Sequence, residues 1–195
     1  MTPLAPPFRA ATIEDAAALA ELVNHAGEGL PLHLWGKLAA PGETAWEVGR
    51  RRAARATGSF SYRNATVVEA EGRCAGGLIG YDIPDAPAPI PADMPAMFAP
   101  LQALENLAPG TWYVNVLAVM PAWRGRGFGT RLLALADATA RARGRRGLSV
   151  IVADANAGAR RLYERCGYRA AAAGDMVKED WDGAGRQWVL LTKRL

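Results

Sequence analysis

Residues that bind metals or form disulfides are scarce in this chain of 195 residues, which contains two cysteines and two histidines. Cys74 and Cys166 lie far apart, and no C-x-x-C pair or cysteine–histidine spacing typical of zinc ligands occurs. We therefore expect neither a structural disulfide nor a bound metal. Cysteines that stay reduced are typical of cytoplasmic proteins, so we expect a cytoplasmic location.

Long apolar runs are also missing. Half of the residues are hydrophobic, but no run approaches the ~18 uninterrupted apolar residues that a membrane span requires. The amino terminus has no charged region followed by an apolar stretch, which is the pattern of a secretion signal. We therefore expect a core of useful size and no membrane partner.

Basic residues exceed acidic ones by 23 to 19, and the sequence pI is about 9.4. Arginines concentrate at residues 50–55 and again at residues 141–146. They form either solvated helix faces and ends or a surface that attracts the phosphates of an anionic ligand. Nucleic-acid binding would need exposed aromatics among the basic residues, or a known motif, and neither is visible. We expect no nucleic-acid partner.

The most informative segment joins a predicted strand, a glycine-rich loop and a predicted helix. An apolar, β-branched run over residues 114–120 ends at Pro121, glycines follow at 125, 127 and 129, and helix-forming residues begin at Thr130. This order directs unpaired backbone N–H groups and the positive end of a helix dipole at one place. Such a place suits a phosphate or pyrophosphate.

The spacing of the loop separates it from other nucleotide-binding loops. A P-loop requires Lys and then Ser or Thr after its last glycine, and Gly-x-Gly-x-x-Gly is not matched from Gly125 or from Gly127. Arg-x-x-Gly-x-Gly is matched by Arg124, Gly127 and Gly129. This pattern, with Val-Met-Pro before it, resembles the acetyl-coenzyme A loop of the GNAT family of N-acetyltransferases.

The resemblance extends along the chain. Residues 156–168 resemble the second coenzyme motif of that family, and their apolar positions repeat at helical spacing through Ala159, Leu162, Tyr163 and Cys166. Residues 8–16 are similar to the first strand and helix of the family, and residues 188–195 to its last strand. We therefore expect a single GNAT domain over residues 1–195, with a proline- and alanine-rich insertion at about 84–110.

The fold implied by the resemblance is an α/β (α+β) GNAT fold. It has a central mixed, mostly antiparallel sheet of about seven strands, flanked by about four helices. Local patterns predict a first helix at about 14–25, a basic helix at about 42–57, a hairpin at 66–81 and a short helix near 97–107. Residues 25–38 give no clear prediction, and we expect a turn near 172–186.

The activity implied by the resemblance is transfer of an acetyl group from acetyl-coenzyme A to a primary amine, which we expect to belong to a small molecule. Two alternatives stay open. One is a protein or peptide N-acetyltransferase, and the other is a module that senses acyl-coenzyme A without turnover. Homodimers are common in the family, so a homodimer is a further expectation.

The resemblance also implies which residues bind the coenzyme. The pantetheine arm would pair with the backbone of Leu117, Ala118 and Val119, where one N–H faces the thioester oxygen. The pyrophosphate would bind the amides of Arg124, Gly125, Arg126, Gly127, Phe128, Gly129 and Thr130. Asn156 would contact the coenzyme arm. The alternative for residues 117–119 is a plain core strand, that for residues 124–130 is an ordinary turn, and that for Asn156 is a simple helix cap. The role of the Arg124 side chain is open.

Two residues are candidates for the chemistry. Tyr163 matches the family tyrosine that gives a proton to the leaving thiolate, and its alternative role is packing on the sheet. Many members carry a carboxylate on the strand before the loop, but this chain has Asn115 and Val116 there. Asparagine cannot act as a base, although its amide can position a water molecule. We identify no catalytic base from the sequence.

The acceptor side is expected from residues 26–38, from the insertion and from the turn near 172–186. Candidate residues that would contact the acceptor are Glu28, Leu30, Trp35, Tyr113 and Met176. Each could equally pack in the core. A pocket lined by such largely apolar residues would suit a small amine with a hydrophobic part.

Overall fold

The computed structural model describes residues 4–195 and contains one seven-stranded sheet. The strands are β1 Phe8–Ala10, β2 Ala65–Ala70, β3 Arg73–Asp82, β4 Thr111–Val119, β5 Gly147–Ala153, β6 Arg169–Asp175 and β7 Gln187–Arg194. Their order in the sheet is β1-β2-β3-β4-β5-β7-β6. β4 and β5 pair in parallel, whereas β1–β2, β2–β3, β5–β7 and β6–β7 pair antiparallel. The expected mixed, mostly antiparallel fold class is confirmed.

Six α-helices occur in the described part of the chain, more than the about four that we expected. They are α1 Ala16–Ala26, α2 Leu30–Lys37, α3 Ala45–Ala53, α4 Ala99–Glu105, α5 Phe128–Ala142 and α6 Ala157–Arg165. Across residues 4–195 we find no helix with the length and apolar character that crossing a bilayer requires.

The contacts divide the chain into two compact units. The first unit comprises the chain up to Gly80 together with Val116–Leu132, and the second comprises Tyr81–Asn115 and Leu133–Leu195. The expected single domain stays a prediction, and each unit is described by itself.

The core of the first unit forms where α1, α2 and α3 pack on β2 and β3. Trp35 of α2 is 4% exposed, stacks on Phe60 at 5.9 Å and meets Trp46 edge-on at 6.2 Å. A Cβ at Gly49 would lie 2.5 Å from Cζ3 of Trp35, so glycine is required for α3 to approach this ring. The aromatic contacts of Trp35 thus join α2, α3 and the segment after α3 in one core.

The core of the second unit is built around β5 and β7, whose pairing runs from Gly147–Arg194 to Ala153–Trp188. Leu148, Leu190 and Leu191 are fully buried there. One buried polar pair, the hydroxyls of Thr111 and Ser149, is satisfied by a 2.7 Å hydrogen bond. β4 is thereby fixed to β5 by a side-chain bond as well as by their backbone pairing.

Two local expectations change. Residues 25–38, without a clear prediction, contain α2, which starts after Glu28 and Gly29 at positive φ and has a proline in its first turn. The turn expected near 172–186 is wrong for its first residues, because β6 continues to Asp175. β6 is an alanine-rich strand at the end of the sheet order, held by pairing with β7 rather than by an apolar pattern.

Candidate functional site

In the first unit, β4 ends beside β3 in close backbone contact. The Met120 amide donates to the Ala75 carbonyl at 2.9 Å. A Cβ at Gly76 would lie 2.9 Å from the Ala118 oxygen, so only glycine allows this approach. Close backbone contacts to β3 therefore position Ala118 and Val119 of the predicted pantetheine segment.

The loop after β4 takes its shape from two glycines. Gly125 and Gly127 have φ values of 76° and 79°, in the left-handed region that other residues avoid. A Cβ at either position would meet no atom within 4 Å. The requirement for glycine is therefore conformational, and the space beside both residues is open in this structure.

Arginines of the loop have identified partners. Arg124 Nε donates to the Val119 carbonyl at 3.0 Å, which closes the loop onto the strand that precedes it. The Arg126 guanidinium lies 4.6 Å from the centre of the Trp123 ring, and its Nη1 is 3.9 Å from a Glu71 carboxylate oxygen. The role of the Arg124 side chain, open in the sequence, is a structural one here.

The first turn of α5 presents free backbone donors. Its first internal hydrogen bond joins the Arg131 amide to the Gly127 carbonyl at 3.2 Å. The amides of Phe128, Gly129 and Thr130 consequently have no acceptor within the helix. This turn contains no acidic residue. Free amides, a helix dipole and neighbouring arginines together suit a bound anion.

In the second unit, Asn156 caps α6. Its side-chain Oδ1 accepts from the Ala159 amide at 3.0 Å, the N-cap bond expected from the sequence. Capping uses the oxygen and leaves the two N–H bonds of the side-chain amide available. The contact of Asn156 with a coenzyme arm stays a prediction, and the helix cap is compatible with it.

Tyr163 lies on the buried face of α6 and is 5% exposed. Its ring is 5.5 Å from that of Tyr168, at an angle of 58°. Burial raises the pKa of Tyr163 above its ordinary value of 10, so the phenol stays protonated at neutral pH. It can donate a hydrogen bond, and its high pKa makes complete loss of the proton more costly than for a free phenol.

The second unit also contains a polar cluster in which Tyr81 and Glu105 are half-buried and Tyr113 is buried, and only Tyr113 was among our predicted residues. The Tyr81 hydroxyl at the end of β3 lies 3.3 and 3.4 Å from the two carboxylate oxygens of Glu105 on α4. The rings of Tyr81 and Tyr113 are 5.3 Å apart. Burial raises the pKa of Glu105 to about 7, and the Tyr81 hydrogen bond lowers it by less. We call Tyr81, Glu105 and Tyr113 the tyrosine–glutamate cluster.

Tyr113 connects this cluster to β4 and β5. The pairing of these strands runs from Thr111–Gly147 to Tyr113–Ser149, although β5 continues to Ala153. The pKa of Tyr113 is raised first by burial and then by Tyr81 and Glu105, while a hydrogen bond with the Ile151 backbone opposes these effects. Since side chains alternate along a strand, half-buried Asn115 shares the face of β4 that carries Tyr113.

The other predicted acceptor residues have different surroundings. Glu28 is exposed at positive φ, whereas Leu30 and Trp35 are buried in the first unit, and the contacts of Trp35 favour a core role. Met176 of the second unit is half-buried, and its Cε would lie 2.7 Å from a Cβ at Gly185.

The first unit brings together residues 117–119 and 124–130, and the second contains Asn115, Tyr113, Met176, Asn156 and Tyr163.

Comparison with known proteins identifies the family. A family model described as the acetyltransferase (GNAT) family matches residues 35–168. The chain belongs to the GNAT family of acetyltransferases and is an acyltransferase. No curated protein gives a match.

Solved structures share the fold. A structure described as an acetyltransferase has a TM-score of 0.65 at 23% identity, covering 96% of this chain and 98% of its own. An N-acetyltransferase from Staphylococcus aureus Mu50 has a TM-score of 0.62 at 18% identity, covering 95% of this chain and 98% of its own. Nourseothricin acetyltransferase has a TM-score of 0.51 at 21% identity, covering 67% of this chain and 64% of its own.

Proposed function

We propose that the protein transfers an acetyl group from acetyl-coenzyme A to the primary amine of a small molecule. The observation that carries the proposal is the junction of β4, the glycine loop and α5, where the unpaired amides of a first helical turn without acidic residues follow a loop with open space at Gly125 and Gly127. The pyrophosphate would bind the amides from Arg124 to Thr130. The pantetheine arm would pair with the backbone of Leu117, Ala118 and Val119.

The chemistry requires three events. A neutral amine attacks the thioester carbonyl, a backbone N–H stabilises the oxyanion, and the thiolate is neutralised as it leaves. We assign the last role to Tyr163. Because its raised pKa keeps the proton on oxygen, the phenol acts first as a hydrogen-bond donor to the developing thiolate. Asn115 would hold a water molecule near the acceptor.

A small acceptor is supported by the way the insertion is held. Its proline-rich part is fixed to α4, because the Asn106 amide bonds to both the nitrogen and the oxygen of the Ala88 backbone, at 3.0 and 2.8 Å. Asp85 is 2.9 Å from Arg146. A segment fixed in this way resembles a cover more than an open peptide groove. Tyr113, Met176, Leu30 and Glu28 stay our candidates for acceptor contacts.

The location is part of the same proposal. Cys74 and Cys166 are both free, and burial raises the pKa of the Cys74 thiol to about 11, which makes it unreactive. Free cysteines are consistent with the cytoplasmic location that we expect, where thiols stay reduced.

Coenzyme binding is tested with two matched glycine variants. Gly127→Ala and Gly42→Ala introduce the same left-handed strain, at φ values of 79° and 84°, in equally open surroundings. We expect acetyl-coenzyme A to raise the Tm of the parent protein and of Gly42→Ala. Its affinity for Gly127→Ala should fall by about tenfold or more, since a methyl group would occupy the anion position. Equal affinities for both variants would contradict the proposed loop function.

Turnover is tested by screening amines for release of the coenzyme thiol. Small amines with an apolar part should be acetylated with higher kcat/KM than peptides that carry a free amino terminus or lysine. Coenzyme binding without thiol release from any amine would favour the sensor alternative. Preferential acetylation of peptides would favour the protein-modifying alternative.

A further inference from the structure

Glu105 is the last residue of α4 and is half-buried within the second unit. Its carboxylate accepts from Tyr81, whose hydroxyl is nearly equidistant from the two oxygens at 3.3 and 3.4 Å. One hydroxyl satisfies one of about four acceptor positions on a carboxylate. The group therefore has capacity for further donors, and it is not enclosed completely.

Among residues 4–195, no cation near Glu105 compensates its charge. α4 packs against β5, β6 and β7. β5 has no titratable residue, and in β6 Arg169 bonds to the Glu164 and Tyr168 carbonyls, whereas Asp175 accepts from Gln187. In β7, Lys193 pairs with Asp137 at 2.5 Å, and Arg194 lies opposite Gly147.

The remaining neighbours of Glu105 come from β3 and β4. Tyr81 and Tyr113 are the phenols that interact with it, and Asp82 is paired with Arg143 at 2.9 Å. A partly accessible carboxylate beside two phenols, without a paired guanidinium or ammonium in the described residues, is suited to an external cation. A primary ammonium is such a cation, and it is the protonated form of the acceptor class proposed above.

We propose that Glu105 receives the acceptor ammonium and removes one of its protons, so that α4 supplies the base that β4 lacks at Asn115. This inference rests on the proposed function. Glu105 would contact the reacting nitrogen directly, and Tyr81 would be a positioning residue that holds the carboxylate.

The step is balanced within the complex. One N–H bond of the ammonium breaks, an O–H bond forms on a Glu105 oxygen, and the nitrogen lone pair becomes available to attack the thioester carbonyl. The N–C bond then forms, and the C–S bond breaks with its electron pair on sulfur. The thiolate takes the proton of Tyr163, which regains one from solvent. A second proton leaves the acetylated nitrogen for solvent, and Glu105 returns its proton to solvent before the next cycle.

The titration of Glu105 suits this role. Its pKa of about 7 places the group as a carboxylate at slightly alkaline pH and makes it a stronger base than an ordinary carboxyl. The shift has a structural origin, because burial of the charge exceeds the stabilisation by the Tyr81 hydrogen bond. Tyr81→Phe should consequently raise the pKa of Glu105 further, while keeping the aromatic ring.

The test is the pH dependence of kcat/KM for an amine that the parent protein acetylates. With Glu105 as base, kcat/KM should rise through a midpoint near 7 and reach a plateau below the amine's own pKa, ~10 for an alkylamine. Glu105→Gln should lower kcat/KM by about 10²–10⁴-fold. The remaining kcat/KM of this variant should rise with pH towards the amine pKa without reaching a plateau. Tyr81→Phe should move the midpoint to higher pH, a change that loss of packing would not produce.

Two controls separate this inference from the proposed function. Glu21→Gln removes an exposed carboxylate of α1 and should leave the profile unchanged. The acetyl-coenzyme A Tm shift should persist in Glu105→Gln, since the loop is intact. A parent protein that acetylates no amine overturns the proposed function. Acetylation whose rate and pH profile are unchanged in Glu105→Gln overturns the role of Glu105 alone.

A direct measurement completes the test. The ¹³C resonance of the Glu105 carboxyl, assigned by its loss in Glu105→Gln, should titrate near pH 7 in the protein without ligands. Its midpoint should rise in Tyr81→Phe. A midpoint close to the ordinary glutamate pKa of 4.5 would overturn the inference whatever the enzyme assays give.

Discussion

The two units of this protein present different kinds of polar group to a ligand. The first unit offers backbone amides of the glycine loop and of the first turn of α5, which have no protonation equilibrium near neutral pH. The second unit offers phenols and a carboxyl whose pKa values are raised by burial. The difference suggests a division between binding an anion and moving protons, and each prediction below tests one side of it.

The largest effect should come from Tyr163→Phe, which removes a hydroxyl and keeps the ring. Turnover should fall by about 10²–10⁴-fold, the usual contribution of a proton donor. The acetyl-coenzyme A Kd should stay near the parent value, and stability should change by no more than about 1 kcal/mol. Steady-state kinetics, calorimetry and urea unfolding measure the three quantities.

Tyr168→Phe is the matched control, because the two rings are in contact and the Tyr168 hydroxyl is buried without a hydrogen-bond partner in the described structure. Removing that hydroxyl should keep turnover and leave stability equal or higher. Equal losses of turnover in both variants would assign Tyr163 to packing.

A smaller effect is expected for Asn115→Ala. If Glu105 is the base and Asn115 holds a water molecule, kcat/KM should fall by about tenfold, the value of one lost hydrogen bond. The midpoint near 7 should remain, because Glu105 is untouched. A loss of about a thousandfold together with disappearance of that midpoint would show that the proton leaves through the water molecule held by Asn115 and not through Glu105.

Asn156→Ala should cost about 1 kcal/mol of unfolding free energy through the lost N-cap bond to Ala159. If Asn156 also contacts the coenzyme, Kd should rise as well. Asn156→Ser is the control, since serine caps a helix but has no amide N–H groups. Restored stability with weakened coenzyme binding would confirm the contact, whereas restoration of both would leave only the cap.

The smallest effect should be the pH dependence of coenzyme binding. Between about pH 7 and 9 the backbone amides that would bind the coenzyme do not titrate, so Kd for acetyl-coenzyme A should change by less than about threefold. Over the same range, kcat/KM should reach its plateau. Parallel changes in Kd and kcat/KM, measured by calorimetry and initial rates, would contradict the division between the units.

The sequence predicted the strand, the glycine loop and the helix that follows because their signals are local, whereas anion binding by the loop stays a prediction. The helix cap at Asn156, the alternative to its predicted coenzyme contact, also has a local sequence signal. β6 was not predicted, because alanines carry no strand preference and pairing with β7 decides the conformation. Glu105 could not be identified, since its burial depends on how α4 packs beside Tyr81. The sequence signal that could have indicated its burial was the position of Glu105 among apolar residues on a predicted helix.

The hydrogen bond from Arg124 to the Val119 carbonyl has a kinetic consequence. It holds the loop in shape before any ligand arrives, so little conformational entropy is lost on association. Arg124→Lys cannot reproduce the planar guanidinium geometry, and a looser loop should lose the coenzyme sooner. In this variant the residence time of the coenzyme should shorten while its association rate changes little. The rate at which the protein exchanges spent coenzyme for fresh coenzyme thus depends on the Arg124 side chain, which need not contact the coenzyme.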